Sequence, residues 1–557
     1  SMKSVFLFVT ALALPLSANP VAGEGSDLKP DANAIFGSMD NGFKYIIYPN
    51  SEPPGKFSVR LHIAAGSLME ADDQRGVAHF LEHMVFNGSK NFTPAELIPR
   101  MQRLGIQFGA HANAYTSFDE TVYMLDLPNM DEKTVDLTFT VMRDFADGAL
   151  LTKEEIDSER GVIISEKTSR DSVGYRMMLR QFEYLIPGSH LMKRVPIGTE
   201  EVIRTAPRER FTDFYARYYT PKRMTFVVVG DFDAKEMEKR IRETFISMQN
   251  PQNPGQNPPK DIPPSGFGPR SEVFTDKELP STDISLYSLR PYTQKPDTSS
   301  NRINQYPLAI ANGILSRRFG ILAKEKGSLI LSGSASRSAY FNMIEQGGIE
   351  VTPAEGKWKE AVPILEQELR KAVQFGFTEE ELKEVKANLI NGAEEAVKRK
   401  DTRRSHGIAM QFIGAIGERN VFTTPETNLE LAKSALGKIT TEDCQKAFNE
   451  FWDTKDLSLV LTTPAAPDSA AEDLKTIFLK SGATEVTAPT EKALIPFSYT
   501  DFGEPGTVVQ ETKIEDLGAT QLMLSNNIRV NYKQTDFQKN SIGINARFGS
   551  VSYTHLT

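Results

Sequence analysis

The sequence predicts an α+β protein: two homologous domains, each a mainly antiparallel sheet backed by helices, followed by the start of a third repeat. Three observations carry this. Residues 249–269 (QNPQNPGQNPPKDIPPSGFGP) are crowded with Pro, Gly, Asn and Gln and read as a linker. It separates two blocks, 30–248 and 270–462, that open on alternating strand patterns such as Phe57-Ser-Val-Arg-Leu-His-Ile. They close on apolar strands, Met224–Val229 and Leu457–Leu461. Within each block a helix starts in the same way, at Thr152-Lys-Glu-Glu-Ile and Thr378-Glu-Glu-Glu-Leu. In both, Thr stands three residues before Glu (Glu155, Glu381), the spacing that satisfies free amides at a helix start.

The third repeat rests on a shorter likeness. Met39-Asp-Asn-Gly-Phe-Lys-Tyr, leading to Leu61-His-Ile-Ala-Ala-Gly-Ser, is matched by Leu524-Ser-Asn-Asn-Ile-Arg-Val, leading to Ile544-Asn-Ala-Arg-Phe-Gly-Ser. Residues 463–520, rich in Ala, Pro, Thr and Ser with a short helical piece near Asp473–Lys480, read as a connector. Residues 521–557 are then the truncated opening of a third domain, with Val551–Thr557 as a tail foreign to the repeat. At the other end, Lys3 precedes the apolar run Val5–Leu16, too short to span a bilayer but suited to a signal-peptide core. Residues 1–23 are therefore expected to be a leader cleaved after Ala18 or Gly23, placing the protein in the periplasm or outside the cell. No later run is long and apolar enough for a membrane span.

Composition narrows the function. With 39% hydrophobic and 25% charged residues, the chain can build a sizeable core and is not disordered. A net charge of −9 argues against a nucleic-acid partner, which asks for a basic footprint. The single cysteine, Cys444, makes neither a disulfide nor a thiolate zinc site by itself, so a metal would be held by His and carboxylate.

The chemistry is concentrated in His79-Phe-Leu-Glu82-His83. On a helix, Val77, Phe80, Leu81 and Met84 form one apolar stripe, and His79, Glu82 and His83 fall opposite. Two imidazoles one turn apart can chelate one Zn²⁺ while the carboxylate beside them stays free. A hydrolytic zinc needs a third protein ligand and an open position. The helix 152–167 offers one, because Ile156, Glu159 and Ile163 share an inward stripe; Glu166 shares it one heptad later and is the rival. Glu154 and Glu155 fit first-turn carboxylates, with Glu155, a turn from Glu159, also placed to support the ligand from behind.

The motif, with Gly76-Val-Ala before it and Phe86-Asn-Gly-Ser after it, closely resembles the inverted zinc motif of the insulinase/pitrilysin-like metallopeptidases, the inverzincins. Gly109-Ala-His-Ala-Asn-Ala-Tyr-Thr-Ser, Glu155-Ile-Asp-Ser-Glu-Arg-Gly-Val-Ile, Ile197-Gly-Thr-Glu, and Phe214-Tyr-Ala-Arg-Tyr-Tyr through Val229-Gly-Asp follow in family order. The resemblance implies one zinc per chain on His79, His83 and Glu159, the last by the family's Ser-Glu-(Arg/His) position. It also implies Glu82 as general base, and Asn113, Ala114 and Tyr115 as the edge-strand segment that pairs with an extended peptide. An ordinary strand in the sheet remains the competing reading of that segment, as it is for His111. The second block, with Val385 where Glu159 would fall, is expected to lack a metal and serve as a wall. The implied function is a zinc endopeptidase acting on peptides or unfolded polypeptides; the alternative is a non-catalytic binding or assembly subunit of the same superfamily. The implied partner, besides substrate, is a further C-terminal half or second chain that closes the chamber.

Overall fold

The computed structural model describes residues 19–490, 498–536, 542–547 and 549. The first block folds as a six-stranded sheet in the order β1-β2-β6-β3-β5-β4, built from β1 (Ile35–Ser38), β2 (Lys44–Pro49), β3 (Phe57–Ile63), β4 (Ala112–Thr116), β5 (Thr121–Leu127) and β6 (Met224–Gly230). Only β2 and β6 run parallel; the other neighbours are antiparallel. The second block repeats this order strand for strand without a counterpart of β1. Its strands are β7 (Arg270–Thr275), β8 (Asp283–Pro291), β9 (Ile330–Tyr340), β10 (Ile344–Pro353) and β11 (Ser458–Thr463), in the order β7-β11-β8-β10-β9, with β7 and β11 parallel. The architecture is thus α+β, with helices on both sheets.

β3 and β6 are buried along their whole lengths because both sheet faces are covered. On one face the helices Val77–Met84, Glu132–Asp147, Arg208–Tyr218 and Ala234–Phe245 pack with the sheet into one core. The opposite face is covered by the helix Ser405–Gly417 of the second block, whose Ile408, Ala409, Phe412 and Ile413 pack on Ile46, Tyr48, Val122, Val227 and Val229. The exchange is reciprocal. The helix Val173–Leu185 of the first block sets Met177 against Phe274 and Val460 of the second sheet. These two crossing helices follow the two Thr-capped helices, Lys153–Ser169 and Glu379–Lys398. Thr378 and Glu381 form the full reciprocal cap, whereas Thr152 only accepts from the Glu155 N–H.

Three boundaries differ from expectation. Residues 19–23 pack with the fold, which accords with cleavage after Ala18 rather than Gly23: Val21 is fully buried in the cluster under Ser405–Gly417, and its carbonyl accepts from the Phe422 N–H. Residues 1–18 lie outside the described residues. The helix in the expected connector, Ala470–Ser481, buries Leu474 and Phe478 in the second core, so that unit runs past residue 462. The third unit starts earlier than residue 521, since β12 (Val508–Ile514) pairs with β13 (Ala519–Leu524), which pairs with β14 (Arg529–Tyr532). The tail Val551–Thr557 lies outside the described residues. Among the described residues no helix is long and apolar enough to cross a membrane.

Candidate metal centre

The Val77–Met84 helix is held at its start by two glycines of the quoted landmarks and by Glu70, which the sequence reading did not single out. Gly76 caps it at φ 106°, and Gly198 packs so close that a Cβ there would stand 2.3 Å from the Gly76 Cα. Ile197-Gly-Thr-Glu therefore needs glycine for backbone-on-backbone contact. The Glu70 carboxylate, 3% exposed, accepts from the Gly76 and Ala78 N–H groups at 3.1 and 2.9 Å. Burial pushes its pKa well above the ordinary value, against the pull of those two bonds. Val77, Phe80, Leu81 and Met84 are buried as the periodicity requires.

On the other side of the helix His79 is buried and the His83 side chain is 23% exposed, with ring centroids 4.9 Å apart. The helix Lys153–Ser169 brings two carboxylates to them. Glu166 stands 3.4 Å from His79 Nε2 and 3.1 Å from His83 Nε2. One ligand atom from each of His79, His83 and Glu166 lies within 4.8 Å of the others; this is the one such group among the described residues. Glu159 does not join it. Its Oε1 meets His83 Nδ1 at 2.9 Å, at the back of the ring, while its Oε2 accepts from Asn87 Nδ2 at 2.9 Å. The structure thus places the rival carboxylate nearer the pair: the heptad step carries Glu166 to the shared space and sets Glu159, the expected ligand, against the back of His83. Glu155, expected to support the ligand from behind, donates its N–H to Thr152 Oγ1 at the helix start.

Electrostatics follow from this packing. Burial opposes charge on His83, but hydrogen bonds to Glu159 and Glu166 outweigh it and hold its pKa up to about 9. Hydrogen bonds from His79 and His83 hold Glu166 well below the usual carboxylate range, with Arg170 also paired to it. His79 Nδ1 is buried without a hydrogen-bond partner. Two imidazoles and one carboxylate are the donor set of a hydrolytic zinc, so the residues present fit that ion.

Glu82 lies beside this group, and its Oε2 accepts a 2.6 Å hydrogen bond from Thr116 Oγ1 at the end of β4. β4 pairs with β5 on one side; on the other, Ala112 is taken up by the preceding turn, donating its N–H to the Gln107 carbonyl and accepting from the Gly109 N–H, and from Ala114 to Thr116 the edge has no strand partner among the described residues. Along it the side chains alternate: Ala114 packs on the inner core and Tyr115 on the outer cluster, its hydroxyl donating to Glu120 at 2.7 Å. Asn113 is exposed and receives its neighbour's N–H at 2.9 Å. Strand alternation from Ala114 was the available signal for Thr116; Asn87, four residues past His83, had helical spacing alone. In the second block Val385 packs on the second core.

Comparison with known proteins gives the family. Residues 45–179 match the insulinase (peptidase family M16) domain, and residues 205–389 match the peptidase M16 inactive domain. The chain belongs to the M16 insulinase family of peptidases. It is 28% identical over 535 residues to the probable zinc protease PqqL of Escherichia coli K12, covering 94% of this chain and 56% of that one. To a zinc protease PQQL-like protein of Arabidopsis thaliana it is 25% identical, covering 92% and 51%. The crystal structure of the first half of the periplasmic protease PqqL from Escherichia coli superposes with a TM-score of 0.77 at 26% identity, over 83% of this chain and 99% of that one. Pitrilysin shares the fold, with a TM-score of 0.65 at 17% identity over 88% of this chain and 52% of that one. The chain spans about half the length of the curated relatives it matches.

Proposed function

We propose that the chain is the catalytic half of a zinc endopeptidase that cleaves peptides or unfolded polypeptides outside the cytoplasm, in the periplasm, after removal of its leader. The observation that carries the reading is the convergence of His79 Nε2, His83 Nε2 and Glu166 beside a Glu82 carboxylate that ligates nothing. His79, His83 and Glu166 would hold one zinc per chain, which when bound supplies Lewis-acid activation of water and of the scissile carbonyl. Glu159 keeps the proton on His83 Nδ1, so that Nε2 presents its lone pair, and Asn87 fixes Glu159 in turn. Glu82 takes the proton of the attacking water and returns it to the leaving amine. Thr116 pins one of its oxygens and leaves the other to work.

The open stretch of the β4 edge receives the substrate as an added strand, along the segment Asn113, Ala114 and Tyr115. The remaining half of the full-length protein, or a partner chain, supplies the facing wall. The chain alone is expected to bind zinc and to cleave weakly or not at all. A binding subunit without catalysis is the alternative, and a single comparison separates them. The full-length protein should cleave a quenched fluorescent peptide and lose that activity with chelator. Glu82→Gln should retain zinc and lose about 10²–10⁴-fold in rate. Equal rates for Glu82→Gln and wild type, with zinc retained in both, would sink the assignment of the base.

A further inference from the structure

Hydrogen bonds at the two ends of β4 show which of its backbone groups face outward. The Asp126 N–H donates to the His111 carbonyl at 2.7 Å, and the Ser117 N–H donates to the Glu120 carbonyl at 2.8 Å. In an antiparallel pair such bonded partners recur at every second residue, so the odd-numbered residues from 111 to 117 turn their backbone toward β5. Ala112, Ala114 and Thr116 turn theirs away from it. The preceding turn takes both groups of Ala112: its N–H donates to the Gln107 carbonyl, and its carbonyl accepts from the Gly109 N–H. The Ala114 N–H goes to the Asn113 side chain at 2.9 Å. Past the strand, the Ser117 carbonyl accepts from the Ser67 N–H at 3.1 Å. The stretch open to an added strand is therefore short, and Thr116 is its last residue.

Thr116 faces two ways. Side chains at every second position share one side of a strand, and Ala112 and Ala114 both pack on the inner core. Thr116 follows them on that side, where its hydroxyl donates to Glu82 Oε2 at 2.6 Å. Its backbone meanwhile lies along the open edge. The other side chains of the stretch are engaged elsewhere, Asn113 with the Ala114 N–H and Tyr115 with Glu120. A β-branched side chain has few χ1 states, so the hydroxyl goes where the backbone at Thr116 sends it.

We propose that Thr116 is a positioning residue through which strand addition sets the general base. A peptide that pairs with the Thr116 backbone fixes that backbone, and with it the hydroxyl that orients Glu82. The proposal rests on Glu82 as the base and on strand addition at β4. Full rate then requires a substrate segment that is extended and carries its own N–H and carbonyl opposite Thr116, whatever its side chains. A peptide bound out of register, or one lacking that amide hydrogen, occupies the site and leaves the base loose. The selection is for unfolded backbone, and it acts on the chemical step as well as on binding.

The test uses the full-length, zinc-loaded protein and quenched fluorescent peptides, each N-methylated at one amide other than the scissile one. In the wild type, one N-methyl position should lower kcat about tenfold, beyond any rise in KM. Thr116→Val keeps the shape and the stiff χ1 and removes the donor. It should lower kcat on the unmodified peptide about 10–100-fold with KM changed less than about twofold. The same N-methyl group should then cost less than about a further twofold in kcat, because the two losses share one cause. Thr116→Ser, which restores a donor, should recover kcat to within about fivefold of wild type. Metal analysis checks that each variant holds zinc. An N-methyl cost in kcat that is equal in wild type and Thr116→Val, or an undiminished kcat in Thr116→Val, overturns the positioning role alone. Should Thr116→Val lose zinc or fail to fold, the wild type decides: N-methylation that raises KM and nowhere lowers kcat overturns the same role. N-methylation without effect on KM or kcat at any position overturns strand addition and the proposal with it.

Discussion

Replacing each of the two carboxylates on the Lys153–Ser169 helix should have sharply different consequences. Glu166 meets both imidazole Nε2 atoms, at 3.4 and 3.1 Å, whereas Glu159 meets His83 Nδ1 at 2.9 Å from behind. A complete protein zinc site is worth about 10–16 kcal/mol, so one of three ligands carries roughly 3–5 kcal/mol, a factor of about 10²–10⁴ in affinity. A residue that orients a ligand is worth about 10–100-fold, or roughly 1.4–2.7 kcal/mol. Glu166→Gln should therefore lose stoichiometric zinc on gel filtration, and Glu159→Gln should keep it with weakened affinity. Competition against a chromogenic chelator at fixed pH, with elemental analysis of the purified variants, measures both. Zinc lost from Glu159→Gln and kept by Glu166→Gln would refute the reasoning and return the ligand to the position the family resemblance implies.

Two further outcomes follow from buried carboxylates. Glu70→Ala leaves the Gly76 and Ala78 N–H groups buried without an acceptor and should cost about 2–4 kcal/mol by denaturant titration, whereas Glu70→Gln, which keeps an acceptor oxygen, should stay within about 1 kcal/mol of wild type. Equal losses for both would show that the cap is not what Glu70 supplies. Asp119, in the turn between β4 and β5, is raised to about 6 by burial and by neighbouring Glu120. A carboxyl raised in the folded state favours folding below its ordinary pKa of 3.8, and that contribution is lost as pH rises through about 6. Asp119→Asn should therefore stabilise the protein at pH 7.5, by on the order of 1–3 kcal/mol, and have little effect at pH 4. A pH-independent difference in thermal midpoint would exclude the mechanism.

The motif helix was legible because its apolar stripe and its chemistry occupy opposite sides, a pattern that periodicity alone reveals. The choice between Glu159 and Glu166 was not. Seven residues make almost two whole turns, so both lie on the same stripe and differ by about 10 Å along the axis. Only the depth at which this helix passes the Val77–Met84 helix decides which one meets the Nε2 atoms. The counting of family landmarks favoured Glu159, whereas the packing sets Glu166 against the two Nε2 atoms. Glu70 was hidden for a different reason: a cap reaching in from outside the helix carries no fixed spacing. The strand patterns gave the sheets, including the matched closing strands β6 and β11. They did not show that Val173–Leu185 and Ser405–Gly417 cover each other's sheets, since an amphipathic sequence states that it needs a partner and not which one.

That exchange of covering helices has a consequence for how the molecule is made. When a growing chain has completed β6, the side of the first sheet bearing Ile46, Tyr48, Val122, Val227 and Val229 still awaits its cover, residues 405–417. At ribosomal speeds of about 5–20 residues per second, the wait lasts roughly 10–40 s. A greasy sheet left bare for that long is a hazard beside a ribosome but harmless in a chain threaded unfolded through a membrane and released whole. The first sheet is thus finished only once most of the second domain has been made.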